Sequence, residues 1–414
     1  MLYSPAGVPP DLSIWCCAPS FNRKKGTTLK VALVHLRYSW TGGTERYLRQ
    51  IADYLVEEGH DVTVVCRSAK GDAHPRVRFE RLRAFALGGG WRQWAFAKAV
   101  ERHVAESDYD VVYGLGKTWT HDVIRLGGGL HRTYLERAHR ATMTPLERAA
   151  GKGAIKHRLA LRIEARALAP GAYRRVVTNS EMVKRDVIDQ YEIPLDKVSV
   201  VHNGVDLERF DRDRHAAAAS ALRRELGFND EHTVLLFLGT GYGRKGLGPV
   251  IAAFERVADT QPETRLLVVG FDPKQARYER LAERRGLAER VRFVGGREDT
   301  EVCYAASDLY VLPTLYDPFA NTTLEALASG LPVITTASNG ASELIVPGVH
   351  GTVLEHGARP EPLADAMLEW TPADRRRTAR EAARGLAAQY TADRCARESA
   401  KVLAEVAAMT PRTR

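Results

Sequence analysis

Cysteine is scarce: five residues in 414 (Cys16, Cys17, Cys66, Cys303 and Cys395), at spacings that make neither a metal knuckle nor a disulfide framework. That scarcity excludes a disulfide-stapled fold and points to a reducing, cytoplasmic setting. Long apolar runs are missing too. None approaches the roughly 20 residues that a bilayer-spanning helix needs. No Gly-x-Ser-x-Gly elbow supports a nucleophilic triad, and no His/Asp/Glu cluster has metal-ligand spacing, so no metal is expected. Two Asp-x-Asp strings do occur. Asp108 and Asp110 open a strand, at its wrong end for a cleft, while Asp211 and Asp213 fall in a connection. The dinucleotide fingerprint is also absent, since Gly42-Gly43-Thr-Glu lacks a third spaced glycine. No tandem repeat suggests a solenoid.

At 414 residues the chain suits two domains. Lys and Arg number 60 against 51 Asp and Glu, a formal charge of +9 that favours an anionic partner without naming it. Residues 1–28 read as a poorly ordered leader: Pro9-Pro10, an apolar patch from Ile14 to Ala18, then basic Arg23-Lys24-Lys25, the reverse of a secretory signal. Two α/β patterns follow in series. The first, 29–206, has strands at Leu29–Leu36, Val62–Cys66, Asp110–Tyr113 and Arg175–Thr178, with a Gly42-Gly43 loop and an amphipathic helix carrying Tyr47, Leu48, Ile51 and Leu55. The second, 207–384, opens with a charged, Ala-rich helical connection, Arg209–Gly227. Its strands are Thr233–Leu238, Arg265–Val269, Val291–Val294, Leu309–Leu312, Val333–Thr336 and Gly351–Leu354. Such alternation predicts two doubly wound, Rossmann-like sheets facing across a cleft, where ligands bind beyond the carboxyl ends of the strands. Trp40, Trp91, Trp94 and Trp119 are expected mostly in the first core.

The richest stretch is Asp317-Pro-Phe-Ala-Asn-Thr-Thr-Leu-Glu325. A buried strand, a turn, and a helix opening near Asn321 and stopped by Gly330 make a βαβ unit. Its helix end, at Asn321, Thr322 and Thr323, attracts phosphate through free amides and dipole. Asp317 and Glu325 bracket that end, so sugar hydroxyls on either side of a phosphate can be gripped, which is the shape of a nucleotide sugar. Gly239-Thr-Gly-Tyr-Gly-Arg244-Lys245 follows a strand at the same edge and brings two cations for a diphosphate. Gly42 and Gly43 occupy the matching edge of the other half as a tight turn whose bare backbone can approach phosphate or acceptor. In Gly127-Gly128-Gly129-Leu130-His131, which follows a helical patch, His131 reads equally as a surface histidine or as an acceptor-side residue. Arg132–Arg166 holds nine Lys/Arg against three Glu, with Arg158, Arg162 and Arg166 in a stripe beside Leu159 and Ile163. It is a solvated face, or one that attracts anionic lipid headgroups or a phosphorylated acceptor.

Together with Thr178-Asn-Ser180, His202-Asn-Gly-Val-Asp206, Asn339-Gly340-Ala-Ser-Glu343 and Gly348-x-x-Gly351, these motifs resemble the retaining GT-B glycosyltransferases of family 4, from Leu29 onward. The Gly-Arg-Lys-Gly loop is similar to that of the lipopolysaccharide core glucosyltransferase I branch. Two positions depart from the pattern. The first acid is Asp317 where Glu is usual, and Thr240 stands where the family carries a phosphate-binding Arg. The resemblance implies metal-independent hexose transfer, best matched by glucose from UDP-glucose, to a glycan or glycolipid acceptor such as lipopolysaccharide core. It implies that Arg244 and Lys245 hold the donor diphosphate, Asp317 the donor sugar, the amides from Asn321 through Thr322 to Thr323 sugar or phosphate, and Glu325 the ribose. From their places on the chain, His131 joins the candidate catalytic residues, and Gly42, Gly43 and Gly239 the candidate donor contacts. The nucleotide sugar is a co-substrate, and no other cofactor is implied. It also implies a last helix, 385–414, returning to the first domain, and a cytoplasmic enzyme peripheral to the inner face of the membrane. Rival readings are a nucleotide-sugar epimerase or hydrolase on the same fold, or a basic nucleotide- or nucleic-acid-binding protein. No RRM, KH or helix-turn-helix signature supports nucleic acid.

Overall fold

A computed structural model describes residues 28–39, 42–85, 88–143, 153–355 and 359–409. Residues 1–27 of the leader with Cys16 and Cys17, Trp40, and residues 144–152 of the basic segment lie outside them. Two wholly parallel sheets carry the fold. The first runs, edge to edge, Arg78–Arg81, Asp61–Cys66, Lys30–Val34, Val111–Gly114, Val123–Arg125, Arg175–Thr178, Val198–Val200. The second runs Val291–Phe293, Thr264–Val269, Thr233–Leu238, Leu309–Leu312, Val333–Thr336, Gly351–Leu354. Central strands such as Val31–Val34 and Val234–Leu236 are fully buried because helices cover both faces, which is why they read as continuous apolar runs.

Both sheets share one winding. Each starts in the middle, builds outward through its next two strands, and then crosses back to the other side of the first strand. The crossing leaves a switch point between Lys30–Val34 and Val111–Gly114, and another between Thr233–Leu238 and Leu309–Leu312. The loops leaving those four strands carry Gly42-Gly43, Lys117, Arg244-Lys245 and Asp317.

Sequence and structure part company in places. A strand, Val123–Arg125, precedes the triple glycine where a helical patch was expected; three residues buried on both faces give no periodicity. Arg78–Arg81 is a short edge strand exposed on most positions, and its charge hid it. Trp91 is 52% exposed rather than core, while Trp119 is buried with Trp94 tilted against it, ring centroids 4.9 Å apart. Both Asp-x-Asp pairs are structural. Asp110 accepts from the Lys30 amide at 2.7 Å, and Asp211 and Asp213 pair with Arg384.

The helix that returns to the first domain is Ala392–Ala407 and does not begin at Gly385: Ala373–Ala387 stays on the second-domain core, and Ala388 to Thr391 separate the two. An isolated parallel bridge joins Val205 to Thr391, so the two chain crossings lie side by side. Cys395, Ala396, Val402, Leu403 and Val406 then pack into the first-domain core. Leu403→Ala is expected to lower unfolding free energy by about 2–4 kcal/mol, the range for a truncated core leucine, and to speed thiol labelling of Cys395. Urea denaturation and labelling kinetics check this, and an unchanged midpoint contradicts it.

Candidate active site

Charges converge on Asp317. The turn that carries it is pinned by a parallel bridge to Asn339: the Asp317 amide donates to the Ser338 carbonyl at 2.9 Å and the Gly340 amide to the Asp317 carbonyl at 2.8 Å. Asp317 Oδ2 accepts from Lys245 Nζ at 2.6 Å and from Arg244 Nη1 at 2.9 Å, and Oδ1 accepts from the Phe319 amide at 3.2 Å. Arg244 also donates to the Tyr316 carbonyl at 3.0 Å. The two cations sit on one short turn, Tyr242–Lys245, with Gly246 at φ 86° behind it. A Cβ there would come 2.3 Å from the Pro313 carbonyl oxygen, so only glycine lets the two loops meet. Gly239 lies alongside the Lys245 stem, 3.4 Å from where its own Cβ would stand. Thr240, in the place of the family's arginine, is exposed.

Burial alone would raise the Asp317 carboxyl. The pull of Lys245 and Arg244 outweighs it and holds the group down at about 2. Burial lowers the Lys245 ammonium, with the nearby Arg244 adding to the fall and Asp317 opposing it. The lysine is nearly enclosed, its side chain 8% exposed, while Arg244 keeps 29% and reaches the cleft.

Four residues on, the helix Asn321–Ala328 points its amino end into the same space. Facing it is the amino end of the first-domain helix Gly43–Glu57. A Cβ on Gly43 would lie 3.3 Å from Asn321 Nδ2. Gly42, at φ 109°, makes the turn, and a Cβ there would strike the Glu45 carboxylate. Two helix dipoles thus direct positive ends at one gap. Asn321 Oδ1 accepts from Asn203 Nδ2 at 2.7 Å, and Asn203 Oδ1 accepts from buried Arg125 at 2.8 Å. Glu325 accepts from Arg46 at 2.8 Å and from the Tyr304 hydroxyl at 2.9 Å. Beside it a cavity of about 250 Å³ opens, lined by Gly43, Arg46, Asn203, Asp206, Arg209 and Glu325 among others.

Not every expected contact survives. Thr323 is fully buried, its hydroxyl accepting from Asn339 Nδ2 at 2.9 Å and its amide donating to Ala320, so it braces the helix instead of meeting a ligand. The Thr322 carbonyl accepts from Tyr304 at 3.2 Å. His131 lines a separate first-domain cavity, its ring 3.4 Å from Lys117 Nζ and 3.0 Å from His157 Nδ1. Burial, then Lys117 and His157, push it down to about 3, leaving it neutral and a weak base at pH 7. Sequence reasoning missed Arg46, which one helical turn after Gly42-Gly43 places at the same edge, and Lys117, which leaves the fourth strand at its carboxyl end. Among the described residues no group of three or more His, Cys, Asp or Glu could hold a metal.

Because the Asp317 carboxyl is held below its ordinary 3.8, its stabilising contribution is present above about pH 4 and lost as pH falls through about 2. That contribution is about 2 kcal/mol. In Asp317→Asn the two cations lose their counter-charge, and the variant should be about 3 kcal/mol less stable at pH 7. Urea titrations from pH 7 to 2 should show the gap between wild type and variant narrowing below pH 4; a constant gap contradicts the assignment.

Comparison with known proteins agrees with this geometry. The family model described as glycosyl transferases group 1 matches residues 219–385, and that of glycosyltransferase family 4 matches residues 41–209. The lipopolysaccharide glucosyltransferase WaaG of Escherichia coli is 25% identical over 344 residues, 81% of this chain and 88% of its own. A D-inositol 3-phosphate glycosyltransferase of Corynebacterium glutamicum is 29% identical over 200 residues, 46% of this chain and 47% of its own. Among solved structures, WaaG superposes with a TM-score of 0.75 at 24% identity, covering 90% of this chain and 99% of its own. HepE of Anabaena, solved with UDP and glucose, gives 0.67 at 20% identity over 91% of this chain and 99% of its own. With the same paired parallel sheets and two family models spanning both halves, the chain belongs to the group 1, family 4 glycosyltransferases and is an enzyme of the GT-B fold.

Proposed function

We propose that this enzyme transfers glucose from UDP-glucose, with retention at the anomeric carbon and without a metal ion, to a glycan or glycolipid acceptor of the lipopolysaccharide core type. One observation carries the reading: two cations meet a buried carboxylate, 2.6 and 2.9 Å from Oδ2, four residues ahead of a helix amino end. During transfer the bond from the anomeric carbon to the diphosphate breaks and its electron pair stays on the departing oxygen. A new bond forms to an acceptor hydroxyl, whose proton ends on the released diphosphate. The costly feature is the growing phosphate charge. Arg244, Lys245 and the facing helix ends oppose it with fixed, preorganised positive charge. Asp317 holds both cations in register and offers its remaining acceptor capacity to donor-sugar hydroxyls. Glu325 takes the ribose hydroxyls, releasing Arg46. The names of the relatives support the substrate: WaaG is a lipopolysaccharide glucosyltransferase, and HepE has been solved with UDP-glucose.

Lys245→Ala should lower turnover about 10²–10³-fold with an unchanged circular dichroism spectrum, and EDTA should leave the wild type active. UDP-glucose should raise the melting temperature of the wild type more than GDP- or ADP-glucose does. Near-normal transfer by the variant contradicts the role of the lysine.

Among the described residues no helix is long and apolar enough to cross a membrane. We place the enzyme in the cytoplasm, peripheral to an anionic membrane through the helix Ala154–Ala167. Lys156, Arg158, Arg162 and Arg166 are exposed there, and Ile155 (63%) on the same helix is exposed with Trp91 (52%) at the start of the adjoining helix Gly89–Ala105. Arg137, counted in the same basic segment, turns inward to Asp186 at 2.8 Å. In flotation assays the protein should rise with anionic vesicles and not with neutral ones, and Arg158→Glu/Arg162→Glu should abolish the difference. Equal flotation with both contradicts the surface.

A further inference from the structure

Arg125 is a buried charge that the transfer chemistry leaves unused. It closes the strand Val123–Arg125 and is 5% exposed. Its guanidinium stands 4.0 Å from the centroid of the Tyr47 ring, and among the described residues no carboxylate pairs with it. Arginine stays protonated at any working pH, and enclosing its charge without a counter-ion costs free energy. Its donors go to the chain crossing between the domains: Nη2 donates to the Val201 carbonyl at 3.2 Å and to Asn203 Oδ1 at 2.8 Å.

That contact has a direction. A guanidinium donates and cannot accept, so Asn203 turns its oxygen toward Arg125 and its nitrogen away. Asn203 Nδ2 then donates to Asn321 Oδ1 at 2.7 Å. The same rule passes to Asn321. With its oxygen taken by Asn203, its nitrogen faces the gap between the two helix amino ends, where a Cβ on Gly43 would lie 3.3 Å from Asn321 Nδ2. Among the described residues that nitrogen has no hydrogen-bond partner. An asparagine amide alone can lie either way round; here a cation at the head of the chain fixes both amides and polarises them in one sense.

We propose that Arg125 is a positioning residue for the donor: through Asn203 it orients Asn321 so that Nδ2 donates to a diphosphate oxygen at the paired helix ends. The inference rests on the transferase reading above and deepens it by giving the diphosphate a side-chain donor whose orientation is set from the first-domain core. Arg125 acts through the two amides and leaves contact with the substrate to Asn321.

A double-mutant cycle on the full chain, read by isothermal titration with UDP and with UDP-glucose, tests the relay. Asn321→Ala should weaken UDP binding about 10-fold, the loss of one hydrogen bond to a charged oxygen. Arg125→Gln leaves an amide that can donate or accept, and should weaken UDP binding about 5-fold in the otherwise wild-type chain. In the Asn321→Ala background the same change should matter by no more than about 2-fold. Arg125→Lys, which also donates without accepting, should hold UDP within about 2-fold of the wild type. Additive losses, an Asn321→Ala variant that binds UDP as the wild type does, or a lysine no better than glutamine overturns the proposal. If circular dichroism shows Arg125→Gln unfolded, Asn203→Ala takes its place in the cycle and the same non-additivity decides. Failure of the wild type itself to bind UDP or UDP-glucose would instead bring down the donor assignment, so the two failures are distinct.

Discussion

A carboxylate buried between two cations organises the second domain. Asp317 can stay ionised out of water only because Lys245 and Arg244 are beside it, and Lys245 tolerates enclosure only because Asp317 is there. Each partner makes the other affordable. The consequence is geometric: the loop after Thr233–Leu238 and the turn after Leu309–Leu312 are locked together at the switch point of the sheet, and cationic nitrogens are fixed before any ligand arrives. Preorganisation of this kind lets fixed charge act on a departing diphosphate without reorganising during the reaction.

A polar seam does the same for the two domains. Ser180 caps its own helix by accepting from the Val183 amide and donates to the Pro318 carbonyl of the other half at 2.8 Å. Glu343 crosses back to accept from the Glu181 amide at 3.0 Å and lies 2.7 Å from His202 Nε2. Asn203 links Arg125 to Asn321. Hydrogen bonds between preformed loop ends, together with the packing of Tyr316 into a first-domain cluster, hold the halves in register. Interfaces of that kind permit relative domain motion, which the proposed admission and release of a nucleotide sugar would use. The Arg46–Glu325 ion pair spans the same gap.

Much of this was legible from residues. Strands such as Leu309–Leu312, Val333–Thr336 and Gly351–Leu354 announce themselves as short apolar runs between turn residues, and the structure gives them the same bounds. Asp317, Asn321 and Glu325 stand out because a strand, a turn and a helix start within a dozen residues leave little freedom in where their side chains go. The motifs Thr178-Asn-Ser180, His202-Asn-Gly-Val-Asp206 and Asn339-to-Glu343 were recognisable by resemblance, yet their task in joining the domains was not. Each makes its bonds to residues more than a hundred positions away. Thr323 shows the reverse error: its place in the motif suggested a ligand contact, and the inward face of its helix turn gave it to Asn339.

The sequence by itself determined two parallel α/β units, the edge of each sheet at which chemistry gathers, and which cations and carboxylates stand there, because strand periodicity, glycine turns and helix starts are local properties of the chain. Tertiary structure decided the rest. It set Lys245 and Arg244 on one carboxylate oxygen, turned the amino ends of two helices toward each other, and put His131 on the wall of a first-domain cavity beside Lys117 and His157. Those outcomes depend on distances between segments remote along the chain, and burial and Coulomb energy act on those distances, which no local pattern encodes.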